Sequence, residues 1–492
     1  MSGGPSATLE STQQSTADGI TACSAYDFGF NNPQYSDRVL HIWQERDVCG
    51  AESHAAAKQA EAPRLLRSLH VNSLALAANS DVFRRKLEEW PEDGDPKKLT
   101  MEVKLGEEQF LEELIRFCYS KQITFTEEKS VLRLMQMADR LLMSECVNVC
   151  AASLTPKDGP LSLQSAYRYL RLPPGLHSHQ PFAQFVQQAV SRVRAEFDDL
   201  DAVWVNDSLQ AAFLKLPLPA LLTVLTSPEL KSITENTVFI AISHWMYNTA
   251  KKPKAGACMD DTAHQLAQCI RFPMLSNDFL HFVVSQASWL PKQYKSGSVF
   301  RAAARYKGAP IKLQQQLAHG GADNAMYLSR RMGVGSSVSI MQWEVPITTI
   351  AVMSCKGPDG SLRLPGEYFL CGYYWYLIMQ YNSSGTSLGC YLHWTAKLNS
   401  ATAMSPPEAF VLASTSLSLK NEKWGPDFVQ VASMKCDHNF GGGLGMGWGN
   451  PFKVALGPGE HAADLTRHLD SAGFVSEGFL DVQFTVSVRL DQ

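Results

Sequence analysis

Apolar side chains recur along this chain at two different periods, and the change of period divides it. Phe110, Leu114, Phe117 and Cys118 stand at helical spacing, as do Val131, Leu134, Met135, Ala138 and Leu142. A short extended run, Gln122 to Phe125, separates these two predicted helices, and polar Thr126-Glu127-Glu128 caps the second. Upstream, Arg38 to Trp43 reads as a strand. From Ser162 to Leu290 the helical pattern continues through SLQSAYRYLRL, PFAQFVQQAVSRVRAEF, DSLQAAFLKL, LPALLTVLTSPEL, ENTVFIAISHWMYN and DDTAHQLAQCIRF, punctuated by Pro173-Pro174, Pro217 and Pro228. Beyond Ser336 the period becomes two. Leu388, Cys390, Leu392, Trp394, Ala396 and Leu398 face one way in LGCYLHWTAKL, and Val482, Phe484, Val486, Val488 and Leu490 do so in FLDVQFTVSVRL. Several such runs between Gly, Pro, Asn and Ser turns predict an antiparallel β-sandwich.

The rest of the chain is patterned weakly. Residues 1–25 are small and polar, with neither the basic start nor the apolar stretch of a secretory signal, and are expected to be disordered. GAESHAAAKQAEAP reads as an exposed insertion or a solvated helix. Pro291 to Gly335, basic and rich in Gln and Gly, with Arg301, Arg305, Lys307, Arg330 and Arg331, reads as a linker with some helix and as the hinge of the molecule. At 492 residues, two to four domains are expected. A net charge of -4 supplies no positive field for a phosphate backbone, so nucleic acid is not expected as a direct partner. The longest apolar run, Tyr368 to Tyr381, is too short to cross a bilayer, and no membrane association is expected. Eleven cysteines, an odd number set mostly in apolar periodic segments, point to reduced thiols in an intracellular compartment.

No segment assembles a catalytic set. Gly385-Thr386-Ser387-Leu388-Gly389 has the spacing of a hydrolase nucleophile elbow, but a strand rather than a helix follows it, which predicts a hairpin turn. FGGGLGMGWG (Phe440 to Gly449) has glycines enough for a phosphate cradle, yet Asn450-Pro451-Phe452 follows in place of a helix, so a flexible or tightly turning loop at a sandwich edge is expected. Cys146 and Cys150 lie one helical turn apart among apolar neighbours, with no second Cys/His pair of zinc spacing, and read as buried thiols. His177 and His179 read as loop histidines. Glu196, Asp198, Asp199 and Asp201 read as a solvated acidic turn. Catalysis, metals and cofactors are therefore not expected, and an interaction protein is.

The block from Leu69 to Leu154, with His70, Leu76, Ser80 and Phe83 as core positions and Leu114, Phe117, Tyr119, Ala138 and Leu142 after them, resembles BTB/POZ domains. The following helices resemble the BACK domain through Leu216-Pro217, Leu225, Leu230, Glu235, Val238-Phe239, Trp245 and the closing IRFPMLS. The run from Leu364 to Leu398, with Trp375 on a strand, resembles the MATH or TRAF-like sandwich. This order, the DFGF opening, the longer spacing between His70 and Ser80 and the glycine-rich FGGGLGMGWGNPF together resemble the plant light-response BTB adaptors. Members of that family commonly carry a long insertion with a basic nuclear-import cluster, which is short and not basic here.

The resemblance implies a multidomain α+β chain: a disordered N-terminus at 1–25, an α/β BTB/POZ domain at 26–155, an all-helical BACK domain at 160–290, a linker at 291–335 and a TRAF/MATH-like antiparallel β-sandwich at 336–492. It implies a homodimer and a non-enzymatic substrate adaptor of a cullin-3 RING E3 ubiquitin ligase, with no cofactor and a protein substrate. The alternative is a cullin-independent BTB scaffold or transcription-associated interaction protein. Cullin-recruiting members carry a hydrophobic-x-Glu triplet after the Phe83 helix, and Trp90-Pro91-Glu92 is its nearest match, with proline in the middle position. The glycine- and aromatic-rich segments of the sandwich make Trp424, Met446, Trp448 and Phe452 the candidate substrate-binding residues.

Overall fold

Seven residues, Arg38–Gln44, form β1, the central strand of a three-stranded sheet; β1 runs antiparallel to β2 (Leu65–Val71) and parallel to β3 (Lys98–Val103). The structure is a computed structural model that describes residues 26–45, 64–88, 97–154, 160–180, 182–251, 259–320, 331, 337–354, 360–381, 386–399, 403–404, 410–441, 445–457, 460 and 462–489. The stretch expected to be disordered, 1–25, lies outside them, as does the whole of the expected insertion, 50–63. The chain divides into two compact units, Met1–Leu161 with Leu172–Gln188, and Ser162–Arg171 with Ala189–Gln492.

In the first unit, alternation along β1 puts Leu40 and Ile42 in the core. Around the sheet stand α1 (Ser73–Asn79), α2 (Asp81–Glu88), α3 (Glu108–Ser120), α4 (Glu128–Arg140) and α5 (Ser144–Ser153). The predicted faces of α3 and α4 are buried, apart from Leu142. That residue lies past the end of α4 in a left-handed conformation (φ 53°), 48% exposed, while the Met143 N–H closes the helix on Ala138 O at 2.8 Å. The closure turns Leu142 outward and leaves Leu141 to fill the core. The expected side-chain cap of α4 is absent too: the Glu127 carboxylate accepts from the Ser130 hydroxyl instead of a backbone N–H.

Helices continue as α6 (Leu163–Leu170), α7 (Pro174–His177), α8 (Phe182–Glu196), α9 (Leu200–Val205), α10 (Asp207–Phe213), α11 (Leu218–Leu225), α12 (Glu235–Ala250), α13 (Met259–Gln268), α14 (Gly297–Lys307) and α15 (Ile311–Gly320). Every residue of α12 from Glu235 to Met246 is buried, which makes it the central helix of the second unit. The described residues of the expected linker include the helices α14 and α15 and touch the rest of the unit at a few points. Ala303 and Tyr306 are buried, Lys307 donates to Leu275 O at 2.6 Å and Asn277 Oδ1 at 2.8 Å, and Arg331 is buried.

The same unit holds two antiparallel sheets built from β4 (Val338–Pro346), β5 (Ser361–Arg363), β6 (Tyr368–Leu370), β7 (Tyr373–Tyr381), β8 (Leu388–Lys397), β9 (Ala403–Met404), β10 (Phe410–Asn421), β11 (Gly425–Gly441), β12 (Met446–Trp448), β13 (Val475–Ser476) and β14 (Phe479–Val488), with α16 (Ile347–Ser354) and α17 (Ala462–Ser471) between strands. One sheet runs β11-β10-β14-β13, with β4 also on β14; the other runs β12-β8-β7-β5, with β6 on β7 and β9 on β8. Trp448 of one sheet meets Phe484 of the other at 6.1 Å, and Trp375 and Trp394 are fully buried. Of the nucleophile-elbow pattern Gly385 lies outside the described residues, while Leu388 and Gly389 open β8, where Leu388 pairs with Tyr381 of β7. Residues 442–444 of the glycine run lie outside the described residues; on either side of them β11 extends to Gly441 and β12 pairs with β8, so its described residues are largely strand. A Cβ on Gly447 would lie 1.9 Å from Cys390 O and one on Gly445 2.0 Å from His393 Nε2, so the glycines let the edge strand lie close against β8.

Candidate interaction surfaces

An exposed apolar group in the first unit is held by a polar framework beneath it. Leu74 on α1 is 78% exposed, and Tyr26, Phe28 and Tyr35 of the N-terminal segment are also exposed. Asn72 caps α1 by accepting from Leu74 N and Ala75 N, and its own N–H donates to the Tyr119 hydroxyl at 2.7 Å. Asp37 accepts from the N–H and the hydroxyl of Ser73 at 2.7 and 2.5 Å. Burial pushes the Asp37 carboxyl up, but these two donors and Arg38 bring it below the ordinary carboxylate value. Asn31 Oδ1 accepts from His70 N at 2.9 Å, which ties the N-terminal segment to β2.

The expected BTB core positions separate into two kinds. Leu76, Ser80 and Phe83 are buried, with the Ser80 hydroxyl donating to Leu141 O at 2.5 Å and accepting from Phe83 N at 3.2 Å. His70 is only half-buried, because it faces away from the core on β2, whose neighbouring positions Leu69 and Val71 turn inward. Trp90, Pro91 and Glu92, the expected cullin-binding triplet, lie outside the described residues. Cys118, Cys146 and Cys150 are buried free thiols. Burial pushes Cys118 up to about 12, and Cys146 is raised by its hydrogen bond with Cys150 and by burial, so neither is poised as a thiolate.

The four substrate-binding candidates differ in exposure. Trp424, 49% exposed at the β10–β11 turn, and Phe452 both meet the Phe474 ring edge-on, at 5.4 and 5.3 Å. Phe452 is only 3% exposed and is a core residue, which corrects its expected role: packing against Phe474 leaves it no face to offer a partner. Met446 and Trp448 are half-buried on β12, opposite Leu392 and Cys390.

Sequence reasoning missed a junction where helices and sheet meet inside the second unit. Trp204 of α9 donates its indole N–H to the Tyr374 hydroxyl at 2.9 Å; His244 of α12 bonds through Nε2 to Lys397 O at 2.8 Å and stacks on Tyr374. Asn236 donates to Cys371 O at 3.3 Å and accepts from Ser276 N at 3.1 Å. The acidic turn takes part in this packing. Asp199 caps α9, while Asp201 accepts from Ile233 N at 2.6 Å and Thr237 Oγ1 at 2.8 Å, with its carboxyl raised by burial, so it is not solvated as expected. Beside Trp204 and Tyr374 opens a cleft of 710 Å³, and a second hollow of 410 Å³ shares its 364–368 wall. Among the described residues no cluster of His, Cys, Asp or Glu is suited to hold a metal ion, and no single helix is long and apolar enough to cross a membrane.

Comparison with known proteins matches two domain families. Residues 65–158 match the BTB/POZ domain, and residues 204–285 match BACK, the domain described as BTB And C-terminal Kelch. The chain is 24% identical over 415 residues to the Arabidopsis thaliana BTB/POZ domain-containing protein At2g46260, covering 79% of this chain and 67% of that protein. It is 22% identical over 315 residues to the Arabidopsis thaliana BTB/POZ domain-containing protein At4g01160, covering 62% of this chain and 58% of that protein. The chain thus carries a BTB/POZ and a BACK domain and has plant BTB proteins as relatives. With its C-terminal antiparallel sheets it is a multidomain α+β protein whose BTB-BACK architecture is that of adaptors and scaffolds, not enzymes.

Proposed function

We propose that this protein is a substrate adaptor of a cullin-3 RING ubiquitin ligase. The observation that carries the reading is the succession of a BTB/POZ and a BACK domain in one chain, an arrangement typical of such adaptors. The BTB domain dimerises through the exposed apolar group around Leu74 and holds cullin-3 through the Trp90-Pro91-Glu92 loop. The C-terminal sheets, a TRAF/MATH-like domain in this reading, capture the target protein. Such an adaptor works by raising local concentration: a tethered target meets the conjugating enzyme almost intramolecularly, and two copies add avidity. It acts in the nucleus and/or cytoplasm.

The test is a titration of the full-length protein with purified cullin-3 N-terminal domain. A complex that the double variant Trp90→Ala, Glu92→Ala weakens by about thirtyfold or more is expected, since truncating a buried aromatic anchor costs ~2 kcal/mol or more. If the unaltered protein shows no affinity for cullin-3, the ligase reading fails and a cullin-independent BTB scaffold replaces it.

A further inference from the structure

The geometry points to the cleft between α9–α10 and the β5–β7 edge as a binding site for an extended peptide that carries a carboxylate side chain next to a large apolar one. This inference rests on the adaptor reading above and names the surface and the chemistry of its target. One wall of the cleft comes from the helices, with Trp204 and Val205; the other comes from the sheet, with Arg363, Phe369, Tyr374 and Lys397. The apolar part is rigid. Trp204, itself only 4% exposed, lies behind the surface: its bond to the Tyr374 hydroxyl and its contact with Phe369 at 6.2 Å hold those two half-buried rings in the cleft wall, and Val205 stands beside it 70% exposed. A fixed aromatic wall with an uncovered aliphatic next to it suits a partner's large apolar side chain, because little ordering is left to be done on binding.

The charge on the sheet wall chooses the second feature of the ligand. Glu367 accepts from Arg363 through one carboxylate oxygen and from Lys397 through the other, so two cations share one anion and the trio is left with a net positive charge. Both cations are held in place: Arg363 lies 3.7 Å over the Tyr376 ring and Lys397 4.8 Å over the Tyr374 ring, while Lys397 O is bonded to His244. Arg363 keeps 45% of its side chain exposed, enough to meet an incoming carboxylate. Asp207 on the helical wall polarises the cleft, which places the acidic residue of the ligand at the sheet side. A volume of 710 Å³, open to solvent, accommodates a short stretch of extended chain.

The experiment titrates the full-length protein, by fluorescence polarisation, with labelled synthetic decapeptides that present Glu-Phe, Glu-Leu or Asp-Tyr in a Gly-Ser frame, with Gln-Phe and Lys-Phe peptides as controls. The acidic peptides are expected to bind more tightly than the controls, and Arg363→Glu and Val205→Asp are each expected to weaken them about tenfold or more. Both substitutions are at exposed positions, and unchanged melting curves show that the fold is kept. Ile311→Ser, at a 72% exposed position of α15 outside the cleft lining, leaves the affinity unchanged. Equal affinity for acidic and control peptides, no binding of any of them, or binding that both cleft variants leave unaltered overturns the proposal. If cullin-3 binds while the peptides do not discriminate, the cleft alone is overturned; if the peptides discriminate and cullin-3 does not bind, the ligase reading fails and the cleft stands.

Discussion

Glu235 and Arg331 form an ion pair shut away from water, Oε2 to Nε 3.1 Å, with the two side chains 1% and 2% exposed. The guanidinium also donates to Leu225 O and Cys269 O, each at 3.1 Å, and the other Glu235 oxygen accepts from Arg271 N at 3.0 Å. Arg331, which stands in a stretch read from sequence as a linker and hinge, is therefore pinned to the start of α12. Removing one partner strands a buried charge. Arg331→Met should lower stability by about 3–5 kcal/mol, and the double variant Glu235→Met, Arg331→Met should recover much of that loss. Urea denaturation measures both, and an unaltered midpoint for Arg331→Met would show that the pair does not anchor the segment.

Gly372 touches the same helix. Its φ is +86°, and a Cβ there would lie 2.4 Å from Asn236 Cβ, whereas Gly478, at φ +85°, has nothing within 4 Å of its would-be Cβ. Gly478→Ala then reports backbone strain alone, about 1 kcal/mol, while Gly372→Ala adds the collision with α12 and should cost about 2 kcal/mol or more beyond it. Equal losses in thermal melts of the two variants would mean that the helix–sheet junction yields freely.

What the sequence disclosed and what it hid follow the distance over which each feature is decided. Alternation in β14 is local, and of its expected inward set Val482, Phe484, Val486 and Val488 are buried as the period of two requires, while Leu490 lies outside the described residues. The partner of Arg331 lies 96 residues away and that of Trp204 lies 170 away, so no spacing rule reaches them. Gly445 and Gly447 looked like loop glycines because the reason for them, the close approach to His393 and Cys390, sits on another strand. Asp201 looked solvated because its donors, Ile233 and Thr237, come from a different part of the chain. Aromatic residues of the C-terminal region were recognisable as anchors, but whether they anchor a partner or the core depends on Phe474, which covers Phe452 and leaves Trp424 half open.

That difference is measurable. Phe452→Ala opens a cavity beside Phe474 and should destabilise the protein by about 3–5 kcal/mol. Trp424→Ala removes a half-exposed ring from a turn and should cost less than about half of that. Reversal of the order in urea melts would place Trp424, not Phe452, in the core.

Acid should loosen the helix–sheet junction through His244. Burial lowers its pKa from 6.5 to about 4, outweighing the raising effect of its bond to Lys397 O, and the Lys397 charge lowers it further. The carbonyl can only accept, so Nε2 carries the proton of the neutral ring. The unfolded chain takes up a second proton near pH 6.5, whereas the folded chain resists until about pH 4. Stability is therefore unaffected above 6.5, falls as pH drops through this window, and is lower by about 3 kcal/mol at its acid end. His393, also lowered to about 4 mainly by burial, adds to the fall in the same direction. His244→Gln keeps an N–H donor for Lys397 O and should flatten the decline without abolishing it. Parallel pH profiles of the two proteins would remove His244 from the account.

Dimerisation is expected to depend on Leu74. A side chain this exposed on a capped helix, with Tyr26, Phe28 and Tyr35 also uncovered in the same unit, is costly in water and is relieved by a closed twofold contact, the commonest arrangement of soluble oligomers. The residue contributes nothing to the core of its own unit, whereas Leu76, two positions on, is fully buried. Leu74→Glu should therefore leave the melting behaviour of the subunit intact and place a charge in the contact. Sedimentation of the full-length protein at micromolar concentration should then give a dimer for the unaltered chain and a monomer for the variant. Leu76→Glu is the control for a structural effect, since it should unfold the BTB domain rather than dissociate it. A Leu74→Glu protein that still sediments as a dimer would move the contact away from α1.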